Sequence, residues 1–162
     1  MANEATDYVK LVKGHLIKEP YEVQFMDTTF FIKLRPLIPD DFRNFQSRCK
    51  KIEWDTKTHQ KIEVLDDKKL TELLNDYAIV DWRGLTQEVI SLLLPVKPLE
   101  VAKNFEFPCT PDFKSFLILE STPFSTFVNN VVLDVAGFSQ RAVEEEAKNS
   151  KTSPDGGSVR PQ

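Results

Sequence analysis

The chain has 162 residues, the size of one domain, and with 41% hydrophobic residues and 12 phenylalanines it can build a core without disulfide staples. A net charge of −4, with 28% charged residues, excludes the uncompensated positive surface that nucleic-acid binding requires. No apolar run approaches the roughly 20 residues of a membrane span, and the acidic, polar start at Met1–Asp7 is unlike a secretory signal, so the chain reads as cytoplasmic.

Residues 1–13 carry weak patterning and are expected as a flexible N-terminal arm. Tyr21 to Phe25 alternate apolar with polar, Met26 to Thr29 suit a turn, and Phe30, Ile32 and Leu34 alternate up to Pro36. This predicts a β-hairpin that must rest its apolar face on something else. Pro39-Asp40-Asp41 opens a helix with Phe42, Phe45 and Cys49 at helical spacing. The stretch Ile52 to Val64 alternates around Asp55–Thr58, which suits a second small hairpin. Asp66 caps a helix carrying Leu70, Leu73, Leu74 and Tyr77, and Gly84 is a natural stop after Ile79–Arg83. Residues 86–107 are the least legible, with a short helix possible over Gln87–Leu94 before Pro95 and Pro98.

Thr110-Pro111-Asp112 and Thr122-Pro123-Phe124 repeat one device, a hydroxyl N-cap followed by proline at the first helical position. The first opens a helix with Phe113, Phe116 and Leu117. The second opens a longer helix with Phe124, Phe127, Val128, Val131, Val132, Val135 and Phe138. The expected architecture is α+β and predominantly helical. An N-terminal hairpin region packs on a four- to five-helix bundle, whose Phe42/Phe45, Leu70/Leu74/Tyr77, Phe113/Phe116/Leu117 and Phe127/Val131/Val135 faces share one core. Residues 14–146 form the domain, and 147–162 are a disordered tail.

Chemistry-bearing patterns are sparse. His15 and His59 have no Cys, Asp or Glu at metal-ligand spacing, and the scattered glycines form no phosphate cradle after a strand. Cys49 and Cys109 have no CxxC companion and read as reduced thiols. The acidic pairs Asp40-Asp41 and Asp66-Asp67 begin helices, where carboxylates complement the macrodipole. No catalytic, metal or cofactor-binding residue is expected; the chain reads as a binding protein without a cofactor rather than an enzyme. Trp82 serves either as a core anchor or as an interface anchor. The Phe124–Phe138 stripe is core or a face offered to a partner helix. The candidate partner-binding residues are therefore Trp82, Phe124, Phe127, Val128 and Phe138.

Several segments together resemble the tail assembly chaperones of long-tailed bacteriophages and prophages. They are the hairpin leading into Leu34-Arg35-Pro36-Leu37, the helix ending in Val80-Asp81-Trp82-Arg83-Gly84-Leu85, and Pro108-Cys109-Thr110-Pro111-Asp112-Phe113. Pro123-Phe124 at the head of a helix and the Glu146–Ser150 end complete the set. The resemblance covers about residues 20–150 and departs at residues 86–107, where the family often has a short turn. It implies a protein that holds the tape measure protein soluble and assists assembly of the major tail tube protein around it. A tail completion or connector protein is the alternative, and a small enzyme or regulatory subunit a lesser one. Ala147-Lys148-Asn149 is also compatible with a −1 frameshift site, which an AAG codon for Lys148 would remove.

Overall fold

The computed structural model describes residues 2–151, which form seven helices and five strands. The fold is α+β and predominantly helical, as the patterning predicts. Contacts divide the chain into two compact units. One contains helices α1 (Ala2–Gly14) and α7 (Val135–Lys151); the other is Lys18–Asp134.

In the larger unit, β1 (Tyr21–Gln24) and β2 (Phe31–Leu34) form the predicted hairpin, and β5 (Ile79–Arg83) extends it to a three-stranded antiparallel sheet in the order β1-β2-β5. Ile79–Arg83, expected as the end of the helix capped by Asp66, is a strand instead, because pairing with β2 satisfies its main chain while burying Ile79 and Trp82. Ile32 lies between Val23 and Trp82 on the adjoining strands. Strand alternation places Ile32 and Leu34 on the buried face, and Phe30 enters the same core just before β2. Five helices complete the unit: α2 (Pro39–Arg48), α3 (Asp67–Ala78), the short α4 (Gln87–Leu93), α5 (Pro111–Glu120) and α6 (Thr122–Val132). The second predicted hairpin is present as β3 (Lys50–Asp55) and β4 (Gln60–Leu65), a separate two-stranded sheet.

Capping explains where the helices begin. The Asp66 carboxylate accepts from the Lys69 amide, and the Thr110 hydroxyl from the Phe113 amide. At α6 the cap is Ser121, not the expected Thr122: its hydroxyl accepts the Phe124 amide at 3.2 Å and also donates to the Leu93 carbonyl at 2.8 Å. Ser121 is buried, and it wins because it satisfies two main-chain groups at once.

The sheet, α3, α4, α5 and α6 share one core that includes Phe25, Phe30, Ile32, Leu34, Ile79, Trp82, Leu117, Phe124 and Val128. Three of the expected faces need correction. Helix α2 buries none of its residues fully, and Phe42 is exposed. Phe116 is exposed and stacks on Phe113 at the edge of the core. Val135 is 78% exposed because the long helix expected over Phe124–Phe138 is two helices. Helix α6 ends at Leu133, whose amide donates back to the Asn129 carbonyl; an aspartate follows, a residue that favours helix breaks over helix interiors.

Residues 86–107 contribute to the core chiefly through α4. Val89, Ile90 and Leu93 of α4 are buried. The excursion closes on itself: the Phe107 amide donates to the Leu85 carbonyl, and the Trp82 indole donates to the Phe107 carbonyl, both at 2.8 Å.

In the smaller unit, α1 occupies the residues expected as a flexible arm, and its Tyr8, Val9, Leu11 and Val12 are exposed. Helix α7 carries the buried Phe138 and continues to Lys151, past the expected start of the tail at residue 147; the remainder of that tail lies outside the described residues.

Candidate apolar binding groove

The side chains expected to meet a partner are mostly interior. Trp82, Phe124, Val128 and Phe138 are buried and Phe127 is half-buried. Trp82 lies edge-on to Phe30 (5.8 Å between centroids), Phe113 (5.9 Å) and Phe124 (6.2 Å), and Phe127 meets Phe25 edge-on at 5.0 Å. Such geometry suits aromatic quadrupoles, and the satisfied indole N–H completes the role of Trp82 as a core anchor. Of the expected partner-binding residues only Phe127 keeps part of its surface accessible. Phe138 belongs to the other unit, beside Arg141 of its own helix.

The accessible apolar surface lies elsewhere, at the junction of the β2–α2 connection, α3 and the end of α6. Pro36 cannot continue the strand, and Pro39 starts α2, so Leu37 and Ile38 cross between them, Ile38 in extended backbone. The Leu37 amide donates to the Val132 carbonyl at 3.3 Å, fixing the connection to the last turn of α6. The result is a groove of about 430 Å³ walled by Leu37, Ile38, Pro39, Phe42, Leu74, Val132 and Leu133. Its polar rim is Arg43, which pairs with Asp40 of its own helix, and Asn129. A second cavity of about 300 Å³ shares Leu37, Leu74, Asn129 and Val132 with the first and runs between α3, α5 and α6.

A small polar network braces the groove's far side. The Tyr77 hydroxyl donates to Asp41 at 3.1 Å, the Arg35 guanidinium lies 4.6 Å above the Tyr77 ring, and Phe45 packs against the same ring. Burial, and then the Asp41 carboxylate, push the Tyr77 hydroxyl above its ordinary pKa. Tyr77 is therefore neutral at physiological pH, and it holds α2 against α3 as a hydrogen-bond donor.

No protein-family model, curated protein or solved structure matches this chain. Its function has to be read from its own chemistry.

That chemistry is spare. Among the described residues no three His, Cys, Asp or Glu side chains gather to hold a metal ion. His15 Nδ1 donates to the Leu11 carbonyl within its own turn, and His59 occupies the β3–β4 turn with a positive φ of 53°. Cys49 is buried, and burial pushes the Cys109 thiol up to about 11, which keeps it protonated and a poor nucleophile at neutral pH. No helix among the described residues is long and apolar enough to cross a membrane.

Sequence reasoning missed the groove because its walls come from three separated segments. The available signal was the apolar triplet Leu37-Ile38-Pro39 at a helix start, where polar capping residues are the rule. Leu133, one residue beyond the α6 stripe, was a second hint.

Proposed function

We propose that this protein is an assembly chaperone of a phage or prophage tail, acting in the host cytoplasm by non-enzymatic binding of the tape measure protein and aiding assembly of the major tail tube protein. The observation that carries this reading is the groove beside Pro39. A partner helix presents apolar side chains at i, i+3, i+4 and i+7, and a concave apolar surface with a polar rim is what such a stripe seeks. A tape measure is a very long helical chain whose apolar faces are unburied before assembly, and exposed patches of that kind aggregate unless covered. The distributed likeness to tail assembly chaperones around Trp82–Leu85 and Pro108–Phe113 supports the same reading, as does the mildly acidic balance of the chain.

Co-expression with helical segments of a phage tape measure protein tests the reading. The wild-type chain should keep such a segment soluble and co-purify with it. Phe42→Asp and Leu133→Asp, both at exposed positions of the groove, should weaken binding by about tenfold or more while leaving thermal unfolding nearly unchanged. Equal binding by wild type and both variants would remove the groove from the mechanism. A tail completion or connector protein would persist in purified particles, whereas a chaperone should be absent, and mass spectrometry of particles separates the two.

A further inference from the structure

The β3–β4 ribbon is a two-stranded sheet whose outer edges have no strand beside them among the described residues. A lone hairpin is marginal in water, yet this one leaves Ile52 72% and Trp54 59% exposed, on one face of β3. Lys51, Glu53 and Asp55 occupy the other face. An open edge with exposed apolar residues is a template for another strand. The charge order along β3 decides which strand fits: basic at Lys50 and Lys51, acidic at Glu53 and Asp55. An antiparallel copy of β3 reverses that order.

We propose that the protein dimerises through this edge, β3 of one copy pairing antiparallel with β3 of a second copy about Ile52 to form one four-stranded sheet. The register follows from the sequence. Two copies related by a two-fold axis normal to the sheet must pair residues of the same face, so the axis passes through a residue. An axis at Lys51 or Glu53 sets like charges directly opposite, and one at Trp54 sets Glu53 against Asp55. An axis at Ile52 instead places Lys51 opposite Glu53 of the second copy, twice, and Ile52 opposite itself. Lys50 then lies opposite Trp54 of the second copy, a cation-and-ring pairing. The exposed apolar side chains of the two ribbons then lie side by side as cross-strand neighbours on one face of the joined sheet.

Within one chain Lys51 already pairs with Glu53 at 2.9 Å, and Lys50 with Glu63 at 3.6 Å, all solvent-exposed. Exchanging such pairs for intermolecular ones costs little. The lysines at the edge discourage pairing with uncharged or basic strands, so the same residues that allow self-pairing exclude other partners. The outer edge of β4 has a similar charge order, but its central Ile62 is 42% exposed and its Val64 half-buried, leaving less apolar surface to cover.

Sedimentation of the full chain over a dilution series tests the proposal. The wild type should show a reversible monomer–dimer equilibrium. Glu53→Lys, which sets Lys51 against a second lysine, and Lys51→Glu, which sets Glu53 against a second glutamate, should each raise the dimer dissociation constant by about tenfold or more. The double variant K51E/E53K restores opposite charges and should restore the dimer. Mixing the two single variants should yield a one-to-one heterodimer. A wild type that stays monomeric at every concentration overturns the proposal. So does a dimer indifferent to these charges, which would place the interface at β4 or elsewhere, and so does a double variant that fails to recover. The test is independent of tape measure binding, so neither result decides the other.

Discussion

Single residues set sharp limits on this fold, and Gly84 is the clearest. It has φ of +74°, and a Cβ there would lie 1.8 Å from the Thr29 carbonyl oxygen, whose residue also donates its hydroxyl to the Gly84 carbonyl. Gly84→Ala should therefore cost about 3 kcal/mol, from backbone strain and the displaced turn together, read as a lowered denaturation midpoint. The sequence marked Gly84 as a stop; the close approach that makes it indispensable depends on a residue 55 positions away. Cys109 carries a different prediction. Its folded pKa is raised from 9.0 to about 11, first by burial. A raised pKa favours the protonated form in the native state, so this stability is complete below pH 9.0 and declines as pH rises towards about 11. Tyr77, also raised, acts in the same direction. Denaturation midpoints followed from neutral to alkaline pH should fall over that window, and Cys109→Ala should flatten the decline.

Among the elements, the break between α6 and α7 separates residues that the apolar stripe had joined. Val131 is half-buried against the core, whereas Val135, four residues on, is 78% exposed. Val131→Asp places an unpaired charge against apolar neighbours and should destabilise by about 3 kcal/mol or more. Val135→Asp should change stability by no more than about 0.5 kcal/mol. Thermal melts of the pair distinguish two helices from the single continuous one. Most elements were legible: both hairpins, the helices opened by Asp66 and Thr110, and the alternation that buries Ile32 and Leu34 follow from local periodicity and caps. Helix α1, the strand at Ile79–Arg83 and the core role of α4 were not. Residues 86–107 lack a clean period because Pro95 and Pro98 interrupt them, and their order comes from the Trp82–Phe107 and Leu85–Phe107 bonds that join their ends.

For the molecule as a whole, apolar residues meet solvent in places that a core-centred pattern does not reveal: the groove by Pro39, the face of β3, and α1. The first two follow from how far the core of the larger unit extends. The core takes what the three-stranded sheet and helices α3 to α6 can cover, and α2 and the β3–β4 ribbon stand at its margin with apolar side chains still accessible. By itself the sequence determined fold class, most element boundaries and the greater part of the buried set, because periodicity, caps and prolines act over a few residues. Only the tertiary structure decided which apolar residues were left over. Burial is a competition among distant segments for one interior, and Trp82, Phe124 and Val128 won it while Phe42, Trp54 and Leu133 were left to face water or a partner.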